Sequence, residues 1–238
     1  MNALIFAAGL GTRLGNLTQN KPKALVKVAG KTMLLHAIEK LRETGVKHIV
    51  INVHHHAQLV KDYVATLRFP NIQLLISDES DQLLETGGGL LKAAPLFSPD
   101  HPIIMYNADV LTGANLKQMI TYHRKKKGIA TLMVKDRDTA RYFLFDDDMR
   151  LSGWKNVSTQ EKQITRKTNG HTNLAFSGIH IVEPDIIPLL GDLRKFSITQ
   201  GYLKLSTHHA IYGWKDWNEY WFDIGTPEKL QTANKYFH

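Results

Sequence analysis

The chain has 238 residues, enough for one sizeable hydrophobic core and too few for two comfortable domains. Hydrophobic residues at 43% and charged residues at 22% exclude a disordered chain, and the lack of any cysteine excludes a disulfide framework or a thiolate metal site. Thirty Lys and Arg against 22 Asp and Glu give a net charge of +8, which leaves nucleic acid, an anionic membrane or small phosphorylated ligands open as partners.

The start, Met1 to Ala8, lacks the positive flank of a signal peptide and runs straight into a glycine-rich turn, so Leu4–Ala7 is expected to be a buried first strand. Met33, Leu34, Ala37, Ile38 and Leu41 recur at three- and four-residue spacing and predict an amphipathic helix ending at Gly45. A second strand follows over His48–Val53. Leu59, Val60, Tyr63, Val64 and Leu67 form the next helical stripe, and residues 72–76 a third strand. A short helix is expected after Gly87-Gly88-Gly89, running to Phe97, then a strand over 102–106, a helix over 116–127 and an extended run over 129–134. From about 140 the alternation breaks into shorter strands at 142–145, 174–182 and 209–214. A last strand at 220–224 precedes a helix from Pro227. No repeat or linker divides the chain, and no apolar run approaches the ~20 residues that span a bilayer. The pattern predicts one doubly wound α/β domain whose mostly parallel sheet becomes mixed in its second half.

The residues suited to chemistry lie where such a sheet binds ligands, at the carboxyl ends of its strands. Gly9-Leu10-Gly11-Thr12-Arg13 follows the first strand. Glycines there let backbone N–H groups approach phosphate oxygens, and Arg13 can pair with them bidentately. Leu14 breaks the dinucleotide fingerprint, and no P-loop pattern is present. Pro22 stiffens the approach to Lys23. Glu85-Thr86-Gly87-Gly88-Gly89 places three helix-weakening glycines at the start of a helix, which suggests close approach to a ligand. Asp109, in Asn107-Ala108-Asp109, and Asp223 each end an apolar run. Taken singly, these segments also read as a surface arginine, a flexible turn, or turn-forming and helix-capping aspartates. Adjacent His54, His55 and His56 would point to alternate faces, so at most two could share a metal, and no further ligand is near. Arg124 to Lys127 complements a helix C-terminus, and Trp214, Trp217, Tyr220 and Trp221 suit a core, a dimer face or base stacking.

In order along the chain, Gly9-x-Gly11-Thr12-Arg13-Leu14 and Pro22-Lys23 resemble the sugar-1-phosphate nucleotidyltransferases, whose signature is G-x-G-T-R-[LM]…P-K-P-L; Ala24 stands where the second proline would be. The resemblance covers residues 3–232 and implies a Rossmann-like fold of the nucleotide-diphospho-sugar transferase type. It implies a single domain over 1–238, with a nucleotide-binding half at 1–112 and a sugar-phosphate-binding half at 113–238. By the same resemblance Ala8, Gly9, Gly11, Thr12 and Arg13 hold the triphosphate and Lys23 contacts the phosphates. Glu85, Thr86, Gly87 and Gly88 lie against the base, and Asn107 lies beside Asp109. Asp109 and Asp223 bind Mg²⁺, and Ser177, Gly178 and Lys155 lie on the sugar side. Arg13, Lys23, Asp109 and Asp223 form the implied catalytic set. The implied partners are a nucleoside triphosphate and a sugar 1-phosphate, with no nucleic acid or membrane, in the cytoplasm. UTP with N-acetylmuramate 1-phosphate is the first expectation. GTP with mannose 1-phosphate, cytidylyl transfer to a phospho-alcohol, or an inactive nucleotide-binding regulator are the alternatives. Oligomeric state is not legible.

Overall fold

In the computed structural model, which describes residues 1–192 and 194–237, the first apolar run forms β1 (Asn2–Phe6) at the heart of a ten-stranded sheet. A two-stranded ribbon, β2 (Lys27–Val28) and β3 (Lys31–Thr32), leads into α1 (Met33–Arg42), capped by the Thr32 hydroxyl. β4 (His48–Val53), α2 (Ala57–Thr66), β5 (Gln73–Asp78), α3 (Glu85–Ala93) and β6 (Ile103–Asn107) complete a parallel core in the order β5–β4–β1–β6. Side chains alternate across this layer, as a strand's period of two requires. Ala3 and Ile5 pack on one face with Leu34 and Ile38 of α1 and Val60 of α2, whereas Leu4 packs on the other with Leu90 and Ala93 of α3. Both faces are therefore covered by helices, which is why these strands read as continuous apolar runs.

The second half adds β7 (Val110–Thr112), α4 (Leu116–Lys126), β8 (Ala130–Lys135), β9 (Arg141–Phe145), β10 (Leu151–Asn156), β11 (Glu161–Ile164) and β12 (Thr172–Val182). After these come α5 (Ile186–Leu190), α6 (Ile198–Leu205), β13 (Ile211–Lys215), β14 (Trp221–Asp223) and α7 (Pro227–Tyr236). β12 joins the halves. Its end runs antiparallel to β6 through Ile179–Val182, and its start pairs with β9 through Thr172–Leu174. The register along β8 shifts between Phe176 and His180, where Gly178 takes φ +78°. The sheet is thus parallel at its centre and mixed beyond β6, where the pairings are antiparallel except that of β13 with β8.

Three expectations shift. α2 buries Ala57, Val60 and Val64 and leaves Leu59 42% exposed, because the helix starts at Ala57 and turns Leu59 outward. Gly87, Gly88 and Gly89 lie inside α3 rather than before it. The hairpin β10–β11 appears where no strand was expected. The histidine run ends β4 and enters α2, with His56 at φ 54° and the His55 and His56 rings 3.9 Å apart. Among the described residues no three His, Cys, Asp or Glu side chains are grouped for a metal, and no helix is long and apolar enough to cross a membrane. Trp214 packs on the core, Trp221 donates its indole N–H to the Ser177 carbonyl, and Trp217 stands 80% exposed beside the Lys215 ammonium.

Candidate active site

The loop after β1 turns because Gly11 adopts φ +67°, a conformation that costs other residues energy. A Cβ at Gly11 would also come within 3.1 Å of Lys23 Cβ, so this glycine admits Lys23 to the loop. The N–H groups of Ala7 and Ala8 both donate to the Asn52 amide oxygen, at 2.7 and 3.2 Å. Those of Gly9, Leu10 and Gly11 donate to no acceptor in the described residues. Successive free N–H groups at the rim of a cavity form a cradle for an anion. The cavity has a volume of about 540 Å³, and its wall includes Ala8, Gly9, Gly11, Thr12, Arg13, Lys23, Glu85, Thr86, Asn107 and Asp109.

Pro22, extended at φ −68°, starts the short turn Lys23–Leu25 and points Lys23 across the loop to an ion pair with Asp109. Asp109 follows β6, and its carbonyl accepts the Ile224 N–H at 2.8 Å, extending the antiparallel pairing of β7 with β14. That backbone bond brings the Asp109 backbone beside the end of β14, although Asp109 and Asp223 are 114 positions apart in sequence. Asp223 does not itself line the cavity, but the next-but-one residue, Gly225, does. A Cβ at Gly225 would fall 3.1 Å from Asp223 Oδ1 and 3.2 Å from an Arg13 guanidinium nitrogen, so the two side chains flank Gly225. Lys229 of α7 pairs with Asp223 Oδ1. Each aspartate keeps one oxygen without a hydrogen bond in the described residues. A divalent cation that takes one or two carboxylates and completes its shell with phosphate and water oxygens fits this donor set.

Sequence reasoning missed Asn52 and Glu79. The Asn52 amide donates to Glu79 Oε1 at 2.8 Å, and Glu79 Oε2 accepts the Leu84 N–H at 3.2 Å. Burial pushes the Glu79 carboxyl up, and these two donors partly offset it. Gly89 makes room for the pair, since a Cβ there would lie 2.8 Å from Glu79 Oε1. The chain Glu79–Asn52–Ala7/Ala8 thus fixes the loop after β1 from below. Glu79→Gln places an NH₂ against one of two donors, which should raise the KM for an anionic ligand held by the loop about tenfold or more with a smaller change in kcat. Steady-state kinetics checks this, and an unchanged KM would show that the loop is held without Glu79.

Besides Asp223, five expected site residues do not line this cavity. The missing Cβ atoms of Gly87 and Gly88 admit protein rather than ligand. A Cβ at Gly87 would lie 2.4 Å from the Phe196 ring, and one at Gly88 2.2 Å from the Arg194 carbonyl oxygen. The Gly87 N–H also donates to the Phe196 carbonyl at 2.9 Å. Lys155 sits over the Tyr142 ring at 5.5 Å, on the face of β10 opposite Trp154. Ser177 is buried with its hydroxyl unpartnered, and Gly178 lies under Asn107, where a Cβ would meet the Asn107 amide nitrogen at 2.9 Å. Gly178 therefore supports a wall residue rather than forming the wall. Glu85, on the wall, holds φ +60°, a strained value for a residue with a side chain.

A family model described as "Nucleotidyl transferase" matches residues 2–238. The N-acetylmuramate alpha-1-phosphate uridylyltransferase of Caulobacter vibrioides is 30% identical over 238 residues, covering 97% of this chain and 94% of that protein. The mannose-1-phosphate guanylyltransferase catalytic subunit beta of Drosophila pseudoobscura pseudoobscura is 27% identical over 236 residues, 97% of this chain, which spans 61% of that relative's length. Among solved structures, HddC from Yersinia pseudotuberculosis complexed with GMP-PN superposes with a TM-score of 0.79 at 23% identity, covering 100% of this chain and 99% of that one. A UDP-glucose pyrophosphorylase from Acinetobacter baumannii gives 0.83 at 16% identity, covering 99% of this chain and 92% of that one. At such identities the two structures share the fold.

Proposed function

We propose, since this chain belongs to the nucleotidyl transferase family, that it transfers a uridylyl group from UTP to N-acetylmuramate 1-phosphate and releases pyrophosphate. The observation that supports the reading is a loop with free N–H groups at a cavity that Lys23, Asp109 and Arg13 line, with Lys23 paired to Asp109 and Arg13 beside Gly225, which Asp223 flanks. The uridylyl choice is supported by the relative of which this chain spans 94%. GTP with mannose 1-phosphate is the second reading, favoured by the guanylyltransferase relative.

In the proposed reaction an oxygen of the acceptor phosphate forms a bond to the α-phosphorus, and the bond from that phosphorus to the α–β bridging oxygen breaks. The attacking group is already an anion, so no protein nucleophile is needed, and catalysis consists of positioning and charge neutralisation. The N–H groups of Gly9, Leu10 and Gly11 receive phosphate oxygens. Arg13, exposed at the rim, holds the outer phosphates. Lys23, fixed by Pro22 and Asp109, offsets charge at the reacting phosphorus. Asp109 and Asp223 would hold Mg²⁺, which when bound adds Lewis-acid charge neutralisation. Pyrophosphate release should be measured with each nucleoside triphosphate against a panel of sugar 1-phosphates in Mg²⁺. The highest kcat/KM is expected for UTP with N-acetylmuramate 1-phosphate. A maximum at GTP with mannose 1-phosphate would replace the first reading, and no release with any pair would refute both.

A further inference from the structure

A second cavity, of about 510 Å³, adjoins the first, and Ser197 lines both. One wall is the face of the β11–β10–β9 sheet on which Gln163, Trp154 and Phe143 stand in a row by register. Arg141, two residues before Phe143, shares that face by the strand's alternation. The facing wall is the start of α6, which hydrogen bonds tie to the first cavity: Ile198 N–H donates to the Thr86 hydroxyl and Gly87 N–H to the Phe196 carbonyl.

This cavity carries two guanidinium groups, Arg137 and Arg141, and no acidic residue among the described residues that line it. Neither arginine makes an ion pair among the described residues. Arg137 is held in place by stacking 4.1 Å over Trp221 and by donating to the Phe176 carbonyl at 2.9 Å, while its Nε is buried without a partner. Burial holds its guanidinium below the usual range and the Asp223 carboxylate partly offsets this, and its stacking partner Trp221, two residues before Asp223, sets it at the Asp223 end of the cavity. Arg141 is exposed on the sheet face beside the aromatic row. One arginine suffices for the acceptor's reacting phosphate, and the second guanidinium, hydrated and without a carboxylate partner, is free to pair with a further anion that enters the cavity. Trp154 offers an apolar ring for a sugar face between them.

We propose that this second cavity receives the acceptor and selects sugar phosphates that bear a second anionic group, carboxylate or phosphate, paired to Arg141, with Arg137 on the reacting phosphate. This rests on the transferase reading above, and it separates the two acceptor choices, because N-acetylmuramate 1-phosphate has a lactyl carboxylate and mannose 1-phosphate has no second anion. The test compares matched pairs on the full-length protein by calorimetric binding and by kcat/KM. N-acetylmuramate 1-phosphate is set against N-acetylglucosamine 1-phosphate, and glucose 1,6-bisphosphate against glucose 1-phosphate. At least one acidic member should bind roughly tenfold or more tightly than its neutral partner, as one charged pair supplies. Arg141→Gln should narrow that ratio to within about threefold, and Arg141→Lys should restore part of it. The pair showing the larger ratio identifies the anion. Equal affinities within both pairs, an unchanged ratio in R141Q, or no binding of either acidic probe would overturn the proposal. Because binding is read without the nucleotide, a failure of turnover alone would count against the transferase reading and leave the binding ratio to decide this one.

Discussion

Asp109→Asn is expected to lower kcat on the order of 10³-fold while leaving the denaturation midpoint near that of the wild type. The side chain sits at the cavity wall, 27% exposed, so the isosteric change leaves no void and buries no new polar group. What it removes is a full negative charge that does two things. It holds the Lys23 ammonium in the loop, and under the proposed function its second oxygen would be open to a divalent cation. The backbone carbonyl that accepts the Ile224 N–H is untouched, so β14 and Asp223 stay in register. Pyrophosphate release measured beside urea denaturation separates the two effects. Activity within threefold of the wild type, in a folded variant, would remove Asp109 from the catalytic set. A large loss of stability would instead make it a folding residue.

The parts of this site that were legible in sequence are those whose chemistry is local. Gly11 announces a turn because it alone takes a positive φ cheaply, and Pro22 announces a fixed approach to Lys23. Asp109 is legible because it directly follows an apolar strand whose carboxyl end faces the ligand crevice. What was illegible depends on which distant surface packs where. Gly87 and Gly88 look identical in sequence whether a base or the Arg194–Phe196 segment approaches them, and here it is the segment. The place of Lys155 depends on register: β10 puts Trp154 toward the second cavity and Lys155 on the opposite face, and a one-residue slip would exchange them. Asn52 and Glu79 ended unremarkable runs, and only the pairing of β4 with β5 and the packing of α3 bring their side chains together under the loop. Arg137 gained meaning only from Trp221, 84 positions later, on which it stacks.

Lys23→Met should cost about 10²- to 10³-fold in kcat with little change in nucleotide KM, because Arg13 and the free N–H groups still hold the phosphates that do not react. Methionine keeps the unbranched stem to within one heavy atom, so contact with Gly11 survives and what is lost is the ammonium, with its charge and N–H donors. The informative measurement is the cycle with Asp109→Asn. Lys23 and Asp109 are paired, so each single variant both removes one group and leaves the other's charge unpaired beside the reacting phosphates. The double variant restores neutrality between the two positions and should fall no more than about tenfold below the worse single variant, far from the product of the two losses. A multiplicative double variant would mean that Lys23 and Asp109 act on separate steps, and that their ion pair contributes nothing to the geometry in which the phosphorus is attacked.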